Sequence, residues 1–183
     1  MSEPQEKKEI QILGKNNKYL MNKMTRQNNE IKMRKGINSQ SMPADYFTIE
    51  KQLDLLSELY NQNMNWEHFK TIQTQLDTKL GSYKQQDILK KRLDDSQFVS
   101  LAYVVQLLYE SDMICHYCKE KMFLLYDIAR EMKQWTLDRV NNDVGHNVGN
   151  CLPACLDCNL KRRRTNKDSF LFTKQLNIVK INL

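Results

Sequence analysis

Between Tyr46 and Leu80 apolar side chains return every three or four residues: Ile49, Leu53, Leu56, Leu59 and Tyr60, then Trp66, Phe69, Ile72, Leu76 and Leu80. That period lays one apolar stripe along an α-helix. Asn63-Met64-Asn65 interrupts it, so the pattern predicts two helices in a hairpin, the second stopping at Gly81. SYKQQDILKKRL then reads as one short polar helix or turn, and Ser100 as the N-cap of a helix from Leu101 to about Glu110. In this pattern Trp66, Phe69 and Tyr103 are core residues and His68 sits on an exposed helical face. Residues 1–43 show no steady period and are rich in Lys, Asn, Gln, Met and Glu, the composition of a flexible basic arm.

After Met113 the pattern changes. KMFLLYD and QWTLDRV have β character, and the turn-rich NNDVGHNVGN separates the latter from CLPACLDCNLKRRR. The expected order is a cysteine knuckle, a strand, a loop, a strand and a helix beginning near Pro153–Ala154. The fold class expected is therefore α+β: an arm over 1–43, a helical region over 44–112, and a ββα unit over 113–183. With 183 residues the chain suits one domain plus an extension, or two small domains sharing a core.

The cysteines sharpen the second half. Cys115-x-x-Cys118 and Cys155-x-x-Cys158 each bring two thiolates to one point, and four sulfur ligands in a tetrahedron suit Zn²⁺. Disulfides would be the competing use, but the chain opens MSEPQEKKEI, charged where a secretory segment is apolar, so a reducing intracellular compartment is expected. Cys151 lies outside both pairs and reads as a small buried residue beside the site. No stretch is apolar enough to span a membrane; Phe98 to Leu108 is interrupted by Ser100 and Gln106.

Charge adds a partner. From Lys161 onward seven basic residues face one acid, which accounts for the whole net charge of +6. Lys161, Arg162, Arg163, Arg164 and Lys167 form the cluster, just after the second cysteine pair. A solvated helix face would explain such a run by itself, but beside a metal site it points to a polyanion.

Leu137-Asp138-Arg139, Gly145-His146, Asn150 and Cys155-x-x-Cys158-Asn159 with its basic run together resemble the HNH (ββα-metal) endonuclease family in its four-cysteine zinc form. The text from YKQQDILKK to FTKQLNIVK, roughly residues 81 to 180, is similar to uncharacterised HNH-type proteins of large DNA viruses. The resemblance implies a viral protein of the host cytoplasm or nucleus, or of the virion, and a metal-dependent endonuclease acting on DNA. It implies Asp138 and Asn159 as ligands of a catalytic Mg²⁺ or Mn²⁺, Asn150 as the residue holding the loop, and the zinc as structural. In most of the family a histidine follows the aspartate as general base; here Arg139 stands there, and a guanidinium cannot accept a proton but can clamp a phosphate. His146 is the leading replacement base, with metal-bound hydroxide, Tyr117 or Tyr126 as others. His116, inside the knuckle, is expected not to ligate. Two rival readings stay open: a nucleic-acid-binding or scaffold protein that kept the fold without catalysis, and a protein-interaction module working through the N-terminal helices.

Overall fold

The computed structural model describes residues 14, 17, 31–34 and 42–176. Most of the expected arm and Lys180 lie outside the described residues. The chain divides into two units, Met1–Lys32 and Met33–Leu183, and the second holds the helices, the sheet and all five cysteines.

Five α-helices and one two-stranded sheet make up the described fold, a mixed α+β arrangement. A 3₁₀ turn, Ala44–Phe47, leads into α1 (Ile49–Tyr60), whose start is capped by Thr48. Gln52, Leu55, Leu56 and Leu59 form the buried stripe of α1. α2 (Phe69–Leu89) follows, then α3 (Leu101–Glu110), where the Ser100 hydroxyl accepts from the Tyr103 N–H at 3.2 Å as expected of its N-cap. α1 packs chiefly on α3, and α3 also meets α2 and the sheet. One hydrophobic core runs from Met42 through these helices to Cys158, so the helical and cysteine-bearing regions share an interior.

Gly81 does not end α2. The helix carries on to Leu89 because its buried stripe carries on: Ile72, Leu76 and Leu80 are followed by Tyr83 and Asp87. A mid-helix glycine costs only about 1 kcal/mol against alanine, which continued packing offsets. SYKQQDIL is therefore the second half of one long helix. His68 stands before that helix with φ +68°, half-buried, its ring edge-on to Tyr46, and is not an exposed helical residue.

KMFLLYD is not a strand. Only isolated bridges hold it, Lys121 to Ile114 and Phe123 to Gln134. The Gln52 amide takes the place of a strand partner: its oxygen accepts from Leu124 N (2.6 Å) and Leu125 N (3.1 Å), and its nitrogen donates to Leu125 O (3.2 Å).

β1 (Trp135–Arg139) and β2 (Cys151–Cys155) are antiparallel, in register from Trp135 opposite Cys155 to Arg139 opposite Cys151. Pro153 lies within β2, opposite Leu137, where the free groups point outward: Leu137 N–H donates to the Tyr83 hydroxyl (3.1 Å) and Pro153 O accepts from His116 N (2.9 Å). A strand tolerates proline at such a position because no ladder N–H is lost. The next helix, α4 (Leu156–Arg162), thus starts two residues later than expected, and α5 (Lys167–Gln175) follows it. The sequence of strand, loop, strand and helix is nevertheless as anticipated.

Candidate functional site

Cys115 and Cys118 lie on a tight turn closed by Cys115 N to Glu120 O (2.9 Å) and Lys119 N to Cys115 O (3.1 Å). Cys155 ends β2 and caps α4, in which Cys158 sits. All four sulfurs fall within 4.8 Å of one another, with Cys118 Sγ and Cys155 Sγ 3.9 Å apart. A tetrahedral zinc with Zn–S of about 2.3 Å requires sulfurs about 3.8 Å apart, so the cluster can hold one metal ion and zinc suits it. Backbone N–H groups of Cys155 and Cys158 point at Cys115 Sγ (3.3 Å) and Cys155 Sγ (3.4 Å), which favours thiolates. Burial and the neighbouring Cys115 push the Cys158 thiol up, and a bound cation would favour its thiolate. Among the described residues no other cluster of three or more His, Cys, Asp or Glu ligands occurs. Cys151 is buried and outside the group, and His116 does not join it.

Beside the cluster opens a cleft of about 500 Å³ between α2, the end of β1, the β1–β2 loop and α4. Asp138, Arg139, His146 and Asn159, which the sequence placed in one site, all line it. The loop is clipped by Asn150, whose Oδ1 accepts from Asn141 N (2.9 Å) and whose Nδ2 donates to Asn141 O (3.1 Å) and Gly145 O (2.8 Å).

The residue that organises the cleft is one the sequence reading missed. Asp87 on α2 is fully buried, and its Oδ2 accepts from both the backbone N–H (2.6 Å) and Nδ1 (2.9 Å) of His146, while Oδ1 faces Arg139 Nη1 at 3.4 Å. A carboxylate only accepts, so the imidazole proton sits on Nδ1 and Nε2 is left with its lone pair. Burial lowers the His146 pKa, with Asp87 opposing and Arg139 adding to the fall, so the ring is neutral at neutral pH. Gly145 makes the approach possible: a Cβ there would stand 2.6 Å from Arg92 O and 3.0 Å from Asp87 Oδ2. The signal for Asp87 was an acid at a stripe position, seven residues on from Leu80 and four on from Tyr83.

The basic run divides. Arg163 and Arg164 line the cleft together with Lys90 and Arg92, which had not been singled out. Partial burial, then Arg139 and Arg92, lower the Lys90 pKa, a mark of crowded positive charge. Lys161 instead pairs with Asp157 (2.7 Å) and Lys167 with Asp168 (3.7 Å), and neither lines the cleft.

Arg162 is not a surface contact for phosphate. It is 1% exposed, on the α4 face shared with Cys158, and Nη1 donates to Asp138 Oδ1 (2.7 Å), Asp138 Oδ2 (2.9 Å) and Arg139 O (2.7 Å) while Nη2 donates to Val140 O (2.9 Å). A buried carboxylate needs such a counter-charge. Asp138 Oδ2 also accepts from the Tyr117 hydroxyl at 2.5 Å. Burial pushes the Asp138 carboxyl up, with Tyr117 and Arg162 opposing. Asp138 therefore is not a free ligand: its oxygens are engaged and its charge is neutralised. The Asn159 amide nitrogen donates to Thr136 Oγ1 (3.0 Å) and Leu137 O (3.3 Å), which leaves its oxygen free to accept. Mg²⁺ keeps several waters but still needs one or two carboxylates, and the one carboxylate at the cleft is already paired with Arg162, so the described residues do not fit such an ion.

Compared with protein-family models, curated proteins and solved structures, the chain matches none. No helix among the described residues is long and apolar enough to cross a membrane.

Proposed function

We propose that the cleft binds and hydrolyses a DNA phosphodiester, the endonuclease activity implied by the HNH resemblance, and that the four cysteines hold a structural Zn²⁺. The observation that carries this reading is a neutral histidine, oriented by a buried carboxylate, opening on a cleft lined by Lys90, Arg92, Arg139, Arg163 and Arg164. His146 Nε2 takes a proton from water as the water oxygen bonds to phosphorus. Asp87 holds the ring in the reactive tautomer and stabilises the imidazolium that forms. Arg139 and its basic neighbours offset the charge that builds on the phosphate oxygens. The P–O bond to the sugar breaks, and the leaving oxygen collects its proton from solvent. DNA rather than RNA follows from the resemblance alone.

Mg²⁺ or Mn²⁺, implied by the same resemblance, finds no unpaired carboxylate in the cleft, so the hydrolysis falls to the chain's own side chains. The engaged Asp138 favours the second reading, a nucleic-acid-binding protein without catalysis. Plasmid nicking, run with Mg²⁺, with Mn²⁺ and with chelator, separates the two. Cutting by the unmodified protein that falls at least about 100-fold in His146→Ala supports hydrolysis; no cutting under any condition, with DNA binding retained, leaves binding alone.

A further inference from the structure

A second cavity, of about 440 Å³, adjoins the basic cleft: Tyr83, Gln86, Asn159 and Leu160 line both. Its volume lies within the range of about 300–1,000 Å³ usual for small-ligand sites. Its chemistry differs from the cleft's. Of its two cations, Lys79 is spent internally, its amine donating to Tyr126 Oη (3.2 Å), Gln134 Oε1 (2.9 Å) and Trp135 O. Arg34 sits over the Tyr126 ring, its Cζ 4.2 Å from the centroid, and is fixed there by Nη1 donating to Tyr126 O (3.0 Å). The rest of the wall is amide, hydroxyl and leucine, and among the described residues no carboxylate lines it.

Phosphate gains little in such a cavity when five basic side chains line the one beside it. A nucleobase gains more. Its face can stack on a guanidinium plane or lie against Leu156 and Leu160, and its edge can reach the amide of Gln86, which has no side-chain partner among the described residues. We propose that this cavity receives the base and sugar of the nucleotide next to the phosphate held in the cleft. The preferred substrate is then a strand with an unpaired nucleotide at that place, because a paired base would first have to leave the stack at a cost of a few kcal/mol. The inference rests on the reading of the cleft as a phosphodiester site.

Ser82 and Thr78 give a test that avoids the cleft. Both are exposed positions of α2 that line the second cavity only. In a His146→Ala background, fluorescence anisotropy should show a labelled duplex with one central unpaired thymidine binding about tenfold tighter than the same duplex fully paired. An abasic residue at that place should lose the gain. Ser82→Trp and, independently, Thr78→Trp should fill the cavity and erase the gain while leaving affinity for the paired duplex unchanged. Equal affinity for the unpaired and paired duplexes, or a gain that survives both fillings, overturns this inference and leaves the phosphodiester reading standing. No binding to any of the nucleic acids overturns both.

Discussion

The cysteine cluster and the basic cleft lie side by side, yet they are built in opposite ways. Each half of the cluster is a local motif: two thiols on one turn, two at one helix start, each spaced so that the backbone alone brings its pair together. The cleft has no local part that works by itself. Its histidine comes from the β1–β2 loop, the carboxylate that orients it from α2 fifty-nine positions earlier, and its cations from the turn after α2, from β1 and from the turn after α4. A metal site written in spacing can be read before folding; a site written in packing cannot.

The largest expected effect bears on that contrast directly. Cys158→Ser should abolish stoichiometric zinc and unfold the region from Met113 onward, whereas Cys151→Ser, although equally buried, should keep its zinc; metal analysis with near-ultraviolet circular dichroism checks both. Equal losses in the two variants would mean that burial, not ligation, governs these positions.

Next comes Asp138. If it serves Arg162 rather than a catalytic ion, Asp138→Ala strands a buried guanidinium and should cost about 3–5 kcal/mol of stability in denaturant titration. Removing Arg162 in the same chain, as Asp138→Leu with Arg162→Leu, should restore much of that loss. A stable Asp138→Ala protein that has lost only cleavage would instead return Asp138 to the role of metal ligand.

The smallest effect is a shift in pH. Since the fold lowers the His146 pKa, a base at His146 would be neutral, and active, above a value that lies below the ordinary 6.5, and cutting should fail only as pH drops through it. Asp87 raises that pKa, so Asp87→Asn should slow cutting and move the acid limb of the pH–rate profile further down. Arg139 lowers it, so Arg139→Gln should move the limb up. Unmoved limbs would detach His146 from the chemistry.

Much of the fold was legible because it follows periodicity. The helical periods of α1 and the first half of α2, the Ser100 cap, the cysteine pairs and the strand–loop–strand–helix order all come from spacing. What was not legible came from side chains that override local rules. Tyr83 and Asp87 carry α2 through Gly81, Gln52 replaces a strand next to Leu124, and Asp138 draws Arg162 out of a run that looked wholly solvent-facing. In each case a polar group satisfies another far along the chain, and no single window of sequence holds both partners.

Gln52 carries one more consequence. A single α1 side chain serves three backbone groups in the segment that leads from the cysteine knuckle to β1. The amides of Leu124 and Leu125 can exchange their hydrogens with solvent only when that helix moves away, so their protection measures the opening of α1. Two stretches more than seventy positions apart are thereby expected to open together in hydrogen exchange, and a fragment beginning at Met113 would start life with those groups unanswered.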